Sequence, residues 1–293
     1  MSPHIRLLQS GCSVPAMRQQ SNPMKTESMK KYNWNAEDYK QHSKNQQRWA
    51  RELIARLKLK GTEDILDIGC GDGKVTAEVS SYVPNGSVVG IDNSTSMIGL
   101  AKKNFPTGQH PSLSFILMDA TSLTFHERFD IVFSNASLHW VKNQKLVLEG
   151  MYRSLKPKGR VFLEMGGKGN ADGVLSVLRD LQKNQEWGHF FSDFQLPYGF
   201  HGPQEYTQWL RESGFDPVRV ELVPKDMEHD GESGLAGWIR TTWMPFTERI
   251  PENKRDQFIR ELVSAYIKQV PLDTNGKAHV AMVRLEVEAI KNT

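Results

Sequence analysis

Short, largely apolar runs recur through the first half of the chain. They fall at residues 65–68, 88–91, 113–117, 129–133 and 161–165, and segments of mixed polarity separate them. Runs of this length are typical of parallel strands that helices cover on both faces. The pattern therefore predicts an α/β fold built on a parallel sheet.

The second half of the chain continues this alternation. Helical patterns at residues 175–183, 203–213 and 256–269 accompany strand-like patterns at residues 218–223 and 279–290. Residues 231–271 form an insertion of about 40 residues, which is too long for a simple connection and too rich in tryptophan and arginine for a linker. We expect this insertion to form a helical lid over a binding site.

A glycine-rich loop follows the first strand. Gly69, Gly71 and Gly73 come directly after that strand, and the second strand ends in Asp92, 25 residues after Asp67. In parallel α/β sheets, a strand, a glycine loop, a helix and an acid-ended strand in this order bind ligands that contain adenosine. The sequence therefore predicts a nucleoside cofactor at the carboxyl edge of the sheet.

Details of the loop separate the nucleoside cofactors from one another. A dinucleotide loop reads G-x-G-x-x-G, but Lys74 stands where the last glycine belongs; a phosphate loop needs a hydroxyl residue where Val75 stands. Asp67 and Asp72 would repel phosphates but attract a cationic amino group or a sulfonium. The loop thus favours S-adenosylmethionine over ATP or GTP, and nicotinamide-dependent oxidoreduction is the last alternative.

Residues from about 60 to 165 resemble the class I S-adenosylmethionine-dependent methyltransferases, whose first motif has the form D-x-G-x-G-x-G. The resemblance implies a Rossmann-like, mixed seven-stranded sheet with helices on both faces, to which residues 218–223 and 279–290 supply the last two strands. The cofactor-binding residues that it implies are Asp67, Gly69, Gly71, Asp92, Asp119, Ala120 and Asn135.

Three of these positions have a more specific role in the family. Asp92 would accept hydrogen bonds from the two ribose hydroxyls. Asp119 would place a carboxylate against the adenine amino group, and Asn135 would line the methyl-transfer site. Each follows a strand at the edge where ligands bind in open α/β sheets.

Residues 32–60 precede the first strand, and we expect them to form helices that cover the cofactor. In the family the equivalent segment folds over the cofactor, and Tyr39, Gln46 and Trp49 have helical spacing that would let them face it. Aromatic residues at such positions are as often core residues. Residues 1–31 are expected to be disordered, with a targeting segment as the alternative, so the methyltransferase domain is predicted to span residues 32–293.

Two segments, residues 135–140 and 238–246, resemble the trans-aconitate methyltransferases. This resemblance places His139, Trp140 and Arg240 in the acceptor site and implies O-methylation of a small carboxylic acid. Arg240 could hold one carboxylate, whereas Trp140 could equally be a core residue. Met244 stands where the family has an arginine, which leaves a tricarboxylate acceptor in doubt.

The identity of the acceptor atom stays open at this level. A carboxylate is ionised at neutral pH and needs no general base, whereas an amine, phenol or activated carbon would need a proton acceptor such as His139 or His201. N- or C-methylation of another small metabolite is therefore the alternative reaction. A protein that binds S-adenosylmethionine without catalysis is a further one.

Composition narrows the partners and the compartment. The formal net charge is +3, and residues 1–31 carry five basic side chains against one acidic one, so the remainder is nearly neutral and argues against nucleic acid. No apolar stretch reaches the length of a membrane span, and two cysteines suggest a reducing compartment, so we expect a cytoplasmic protein. We expect a small-molecule acceptor and no metal, and the sequence does not indicate an oligomeric state.

Overall fold

The protein forms a seven-stranded sheet flanked by helices. A computed structural model describes residues 44–292. The strands are β1 (Asp64–Ile68), β2 (Ser87–Asp92), β3 (Leu113–Leu117), β4 (Phe129–Asn135), β5 (Leu155–Gly166), β6 (Phe215–His229) and β7 (Ala278–Lys291). Their order across the sheet is β3-β2-β1-β4-β5-β7-β6.

Nine α-helices lie within the described residues. They are α1 (Lys44–Arg56), α2 (Lys74–Ser81), α3 (Thr95–Asn104), α4 (Gln144–Ser154), α5 (Asp172–Lys183), α6 (Pro203–Glu212), α7 (Gly231–Thr242), α8 (Met244–Thr247) and α9 (Glu252–Gln269). Short 3₁₀ turns at Ala120–Ser122, Leu138–Trp140 and Gly188–Phe191 join some of these elements.

The direction of the strands confirms the predicted mixed sheet. β1 to β5 run parallel to one another, and β7 inserts antiparallel between β5 and β6. The carboxyl ends of β1, β2, β3 and β4 therefore meet at one edge, where the sequence places its glycines and acids. β6 is much longer than the predicted strand at residues 218–223, because its pairing with β7 carries polar residues into the sheet beyond the apolar run.

Hydrophobic residues on both faces of the sheet explain why the central strands are so apolar. One cluster packs β1, β2 and β3 against α1, α2 and α3, and a second packs the other face against α4 and α6. Buried side chains on both sides of each strand remove apolar area from water at about 25 cal/mol per Å². Packing on both faces therefore holds the central strands, and with them their carboxyl ends, in position.

The insertion between β6 and β7 is helical and well packed. α7, α8 and α9 contribute to a third hydrophobic cluster together with α5, and Trp238, Phe258 and Tyr266 are buried within it. The Trp187 indole donates a hydrogen bond to Glu261 of α9 at 2.7 Å. The helical character predicted for residues 231–271 is thus present, and the role of these helices as a lid stays a prediction.

Two features are absent from residues 44–292. None of the helices in this range combines the length and the apolar character needed to cross a bilayer. Within the same range, histidine, cysteine and acidic side chains form no group of three or more that could hold a metal ion.

Candidate active site

The loop after β1 uses its glycines for two different purposes. Gly69, Gly71 and Gly73 all have left-handed backbone angles, with φ of 78°, 54° and 82°. A Cβ on Gly69 would overlap the Ser137 hydroxyl, and one on Gly73 would lie 2.7 Å from the Phe115 ring. A Cβ on Gly71 would meet no atom within 4 Å. Gly69 and Gly73 therefore permit close packing, whereas Gly71 lies against open space.

Asp92, the last residue of β2, is hydrogen-bonded to this loop. Its Oδ2 accepts a hydrogen bond from the Gly71 N–H at 3.1 Å, and its Oδ1 accepts one from the Ser94 N–H at 2.8 Å. Burial raises the pKa of Asp92, and these backbone bonds oppose the rise. The carboxylate therefore lies in a fixed orientation beside the open space at Gly71, where it can accept further hydrogen bonds.

Asp67 presents a buried carboxylate that is only partly satisfied. The side chain is 1% exposed, its Oδ2 accepts a 2.7 Å hydrogen bond from the Thr76 hydroxyl, and its Oδ1 has no hydrogen-bond partner among residues 44–292. Burial raises the pKa of Asp67 to about 7, opposed by Thr76 and supported by the charge of Asp92. A cation close to Asp67 would offset this cost, so the site fits a ligand with a positive charge.

Asp119 lies next along the same edge, after β3. Its Oδ1 accepts hydrogen bonds from the Thr121 N–H at 2.8 Å and the Thr121 hydroxyl at 2.6 Å, which caps the turn that begins at Ala120. The Met118 N–H donates to the Asp92 carbonyl at 3.0 Å, so this turn lies directly beside the end of β2. The structure thus brings Asp92, Asp119 and Ala120 together and gives Asp119 a capping role, while their contact with the cofactor stays a prediction.

Asn135 ends β4 opposite Glu164 of β5. Its side-chain Oδ1 is buried without a hydrogen-bond partner among the described residues. The next residue, Ala136, has a φ of 53° and donates its N–H to the Glu164 carbonyl at 2.7 Å. This turn directs Ser137 against Gly69, so the ends of β1 and β4 adjoin and Asn135 lies close to the glycine loop.

His139 lies in the 3₁₀ turn that follows and is surrounded by aromatic rings. It is 9% exposed, and its ring centroid lies 5.9 Å from Trp140, 6.1 Å from Tyr198 and 5.9 Å from Phe200. Its Nδ1 accepts a long, 3.4 Å hydrogen bond from the Gly166 N–H. Burial lowers the pKa of His139 to about 3, with a further contribution from the charge of Arg284. His139 is therefore neutral at physiological pH.

The second histidine named as a possible base, His201, is turned away from this cluster. On the extended segment 198–201, Tyr198 and Phe200 point to His139, whereas the His201 ring packs against Trp209 of α6 at 4.7 Å. Side chains alternate along an extended chain, so His201 faces the helix layer. Its Nδ1 pairs with Glu205.

Sequence reasoning missed a buried ion pair next to His139. The Arg284 Nε lies 3.3 Å from the Glu164 Oε1, and the two side chains are 4% and 1% exposed. The guanidinium also lies over the Trp49 ring, 5.1 Å from its centroid. Arg284, Glu286 and Glu288 occupy alternate positions on β7, and charged residues at that spacing were the available signal. That Arg284 and Glu286 are buried could not be read from the spacing.

The remaining predicted residues have different positions. Trp49 is 1% exposed and has Arg284 over its ring, so it is a core residue of α1. Arg240 lies on the exposed side of α7, whose buried residues include Trp238 and Thr241. Tyr39 and the Gln46 side chain lie outside the described part of the chain. Trp140 is half-buried and contacts Tyr198 at 4.8 Å.

The geometry agrees with comparisons to known proteins. Residues 66–163 match the methyltransferase domain family. An uncharacterised methyltransferase of Schizosaccharomyces pombe is 32% identical over 266 residues, which is 88% of this chain and 98% of that protein. A trans-aconitate 2-methyltransferase of an Enterobacter species is 28% identical over 254 residues, which is 86% of this chain and 96% of that enzyme.

Solved structures show the same fold. A Haemonchus contortus phosphoethanolamine N-methyltransferase 2 in complex with S-adenosyl-L-methionine superposes with a TM-score of 0.57 and 20% identity, over 88% of this chain and 57% of that one. The glycine loop, the acids at the ends of β1 and β2, and the relative that matches 88% of this chain therefore all indicate the same family. The chain belongs to the class I S-adenosylmethionine-dependent methyltransferases, and S-adenosylmethionine is its cofactor.

Proposed function

We propose that this methyltransferase acts on a small organic acid and methylates a carboxylate oxygen. A carboxylate has a pKa of about 4 and is already ionised at neutral pH, so it can be methylated without first losing a proton. Amines, phenols and carbon acids must give up a proton to a base. The observation that supports a carboxylate is that neither candidate histidine is suited to act as that base.

His139 is a poor proton acceptor for two reasons. Its pKa is about 3, because the ring is buried and Arg284 lies nearby. A base is most effective when its pKa lies near the working pH, so a pKa this low leaves little driving force for proton uptake. In addition, the Nδ1 lone pair already accepts the hydrogen bond from Gly166.

The position of His201 excludes it as the base. Its ring faces Trp209 and its Nδ1 is paired with Glu205, on the side of the extended segment opposite Tyr198 and Phe200. A base must come within hydrogen-bond distance of the proton that it removes, directly or through one water. His201 would have to move to the other side of the segment 198–201 to reach an acceptor bound beside His139.

The residues that would hold the cofactor follow from the same geometry. We expect Asp67 to lie near the cationic amino group, Gly71 to give room for the nucleoside, and Asp92 to accept the ribose hydroxyls. Asp119 and Ala120 would contact the adenine, and Asn135 would lie near the reacting methyl group. When bound, S-adenosylmethionine supplies a methyl group on a positively charged sulfur, and its transfer to a carboxylate leaves a neutral ester and a neutral thioether.

The protein would contribute mainly by holding the acceptor and excluding water. Trp140, Tyr198 and Phe200 form an apolar wall around His139, and rigid aromatic rings restrict the orientations of a bound molecule. Alignment of this kind can supply roughly 7–11 kcal/mol of a reaction barrier in well-oriented systems. No covalent intermediate with the protein is needed.

The trans-aconitate 2-methyltransferase relatives suggest the acceptor class but not the exact acid. Arg240, the cation predicted to hold a carboxylate, lies on the exposed side of α7, and Met244 is buried. A tricarboxylate calls for several cations, so acids with one or two carboxylates are the better candidates. The helices α7 to α9 would then act as a lid that selects the body of the acid.

The test uses the chemistry of methyl esters. The full chain is incubated with methyl-labelled S-adenosylmethionine and a panel of mono-, di- and tricarboxylic acids, together with an amine and a phenol of matched carbon skeleton. Alkali hydrolyses a methyl ester and releases labelled methanol, whereas N-methyl, C-methyl and aryl methyl ether products keep the label. We expect alkali-labile label with an acid, and alkali-stable label on the amine or the phenol would refute the proposal.

A further inference from the structure

We infer that His139 acts as a fixed hydrogen-bond donor, whose Nε2–H binds an oxygen of the acceptor carboxylate and orients the acceptor for methyl transfer. This inference rests on the proposed carboxylate methylation. It assigns His139 a task different from proton removal, and the proton stays on Nε2 throughout.

The backbone sets the tautomer of the ring. A neutral imidazole has one N–H and one bare nitrogen, and the nitrogen that accepts a hydrogen bond is the bare one. The Gly166 N–H donates to the His139 Nδ1 at 3.4 Å, which leaves the proton on Nε2. No residue between 44 and 292 forms a hydrogen bond with Nε2, so this N–H is available to a ligand.

The ring is also held in position. The His139 carbonyl accepts a hydrogen bond from the Gly199 N–H at 2.8 Å, which ties the 3₁₀ turn to the segment that carries Tyr198 and Phe200. These two rings are stacked with their centroids 5.2 Å apart and pack on His139 together. A donor whose rotation is restricted in this way loses little entropy when it binds a ligand.

The position of the turn places this donor beside the reacting edge. Asn135 ends β4, and Ser137 packs against Gly69 of the cofactor loop. Because His139 comes only two residues after Ser137, the turn that carries it lies at the same edge of the sheet as Gly69 and Asn135. A carboxylate has two oxygens, so one can accept this bond while the other reacts.

Burial and the charge of Arg284 keep the ring in its neutral, donor form. Of the charged side chains in the described range, Arg284 of β7 acts on the ring and Glu164 of β5 is bound to Arg284. Tyr198 is the titratable group on the facing segment. Burial and the Arg284 charge both lower the pKa of His139, to about 3, so its protonation does not change between pH 5 and 9.

Two variants separate a donor from a base. His139→Gln keeps an amide N–H that can reach a similar position, whereas His139→Leu removes the donor. We expect kcat/KM for the best acid to fall roughly 10- to 150-fold in His139→Leu, the range for a lost hydrogen bond to a charged group, and to fall clearly less in His139→Gln. His201→Gln is the matched control, and we expect it to keep both the rate and its pH dependence.

Nuclear magnetic resonance of the ¹⁵N-histidine-labelled full chain supplies a readout that does not depend on turnover. The His139 ring signals, assigned by their loss in His139→Gln, should report an Nε2–H tautomer that stays unchanged from pH 5 to 9. A ring that titrates with a pKa between 6 and 7, or one with its proton on Nδ1, would overturn the inference. If His139→Leu does not bind S-adenosylmethionine, the tautomer seen in the wild-type spectrum and the kcat/KM of His139→Gln still test the inference.

Failure of the proposed function gives a different result. Alkali-stable label on an amine would refute carboxylate methylation, whatever the spectrum shows. A second outcome separates the two proposals. If the product is alkali-labile but the pH profile of kcat/KM has an acidic limb that disappears in His139→Gln, carboxylate methylation is retained and the donor role of His139 is overturned.

Discussion

The buried carboxylate of Asp67 should make the cofactor-free protein less stable as the pH rises. An ordinary aspartate has a pKa of 3.8, and burial raises that of Asp67 to about 7 in the folded protein. Between these two values the unfolded chain has released this proton and the folded chain has not. The folded state therefore binds more protons, and its free energy of unfolding falls as the pH rises towards 7.

The size of the effect follows from the same shift. From pH 5 to the folded pKa of about 7, each pH unit costs 1.4 kcal/mol of unfolding free energy at most, so this group removes about 3 kcal/mol by pH 8. Because Asp67→Asn cannot ionise at this position, its unfolding free energy does not show this fall with pH. The amide still accepts the Thr76 hydroxyl but leaves a buried N–H unpaired, at a cost of about 1–3 kcal/mol that does not depend on pH.

The assay is urea unfolding of the cofactor-free wild-type protein and Asp67→Asn at pH 5 and pH 8. The difference in unfolding free energy between the two proteins should shift by about 3 kcal/mol in favour of the variant between these pH values. Comparing differences cancels every other titrating group that the proteins share. Asp67→Asn should also bind S-adenosylmethionine more weakly at pH 8. A stability difference that is equal at both pH values, or that shifts the opposite way, would refute the account of Asp67.

Two further predictions concern packing and charge. Gly69→Ala should lower the unfolding free energy by more than Gly71→Ala. Both substitutions strain a left-handed backbone, but only the Cβ at position 69 would overlap Ser137, which adds a cost of about 1–3 kcal/mol. Equal losses of unfolding free energy in urea would contradict this. Arg284→Met should cost about 3–5 kcal/mol because it leaves Glu164 buried without its cation. Arg284→Lys should recover part of that loss, and Arg240→Ala on the exposed side of α7 should cost at most about 1 kcal/mol. Thermal unfolding that ranks Arg240→Ala with Arg284→Met would count against the buried pair.

The arrangement of the proposed cofactor-binding residues could largely be predicted because it depends on local order along the chain. Asp67, Gly69 and Gly71 lie in one loop, and Asp92 ends the next strand, so parallel pairing alone brings them together. The glycines stand where the backbone needs positive φ, which few other residues adopt. Even here the roles differ, because Gly69 and Gly73 are required by packing against Ser137 and Phe115.

The proposed acceptor site was harder to predict because its residues come from distant segments. His139, Tyr198 and Arg284 come together in the fold although β5, α5 and the insertion separate them along the chain. Of two histidines that look equivalent in sequence, His139 contacts Phe200 of the segment 198–201, whereas His201 faces Trp209 on the other side of that segment. The burial that lowers the pKa of His139 is a property of this assembly.

The sequence by itself determined the succession of strands along the chain, the glycine loop and the acids at the ends of β1 and β2, and hence the class of cofactor. It did so because apolar runs and glycines act through local backbone geometry and two-sided burial. Only the tertiary structure decided that Arg240 lies on an exposed helix face, that Arg284 and Glu164 form a buried pair, and that His139 is neutral with its Nδ1 occupied. Burial, pKa and tautomer depend on which distant groups surround a side chain, and no local pattern along the chain specifies those neighbours.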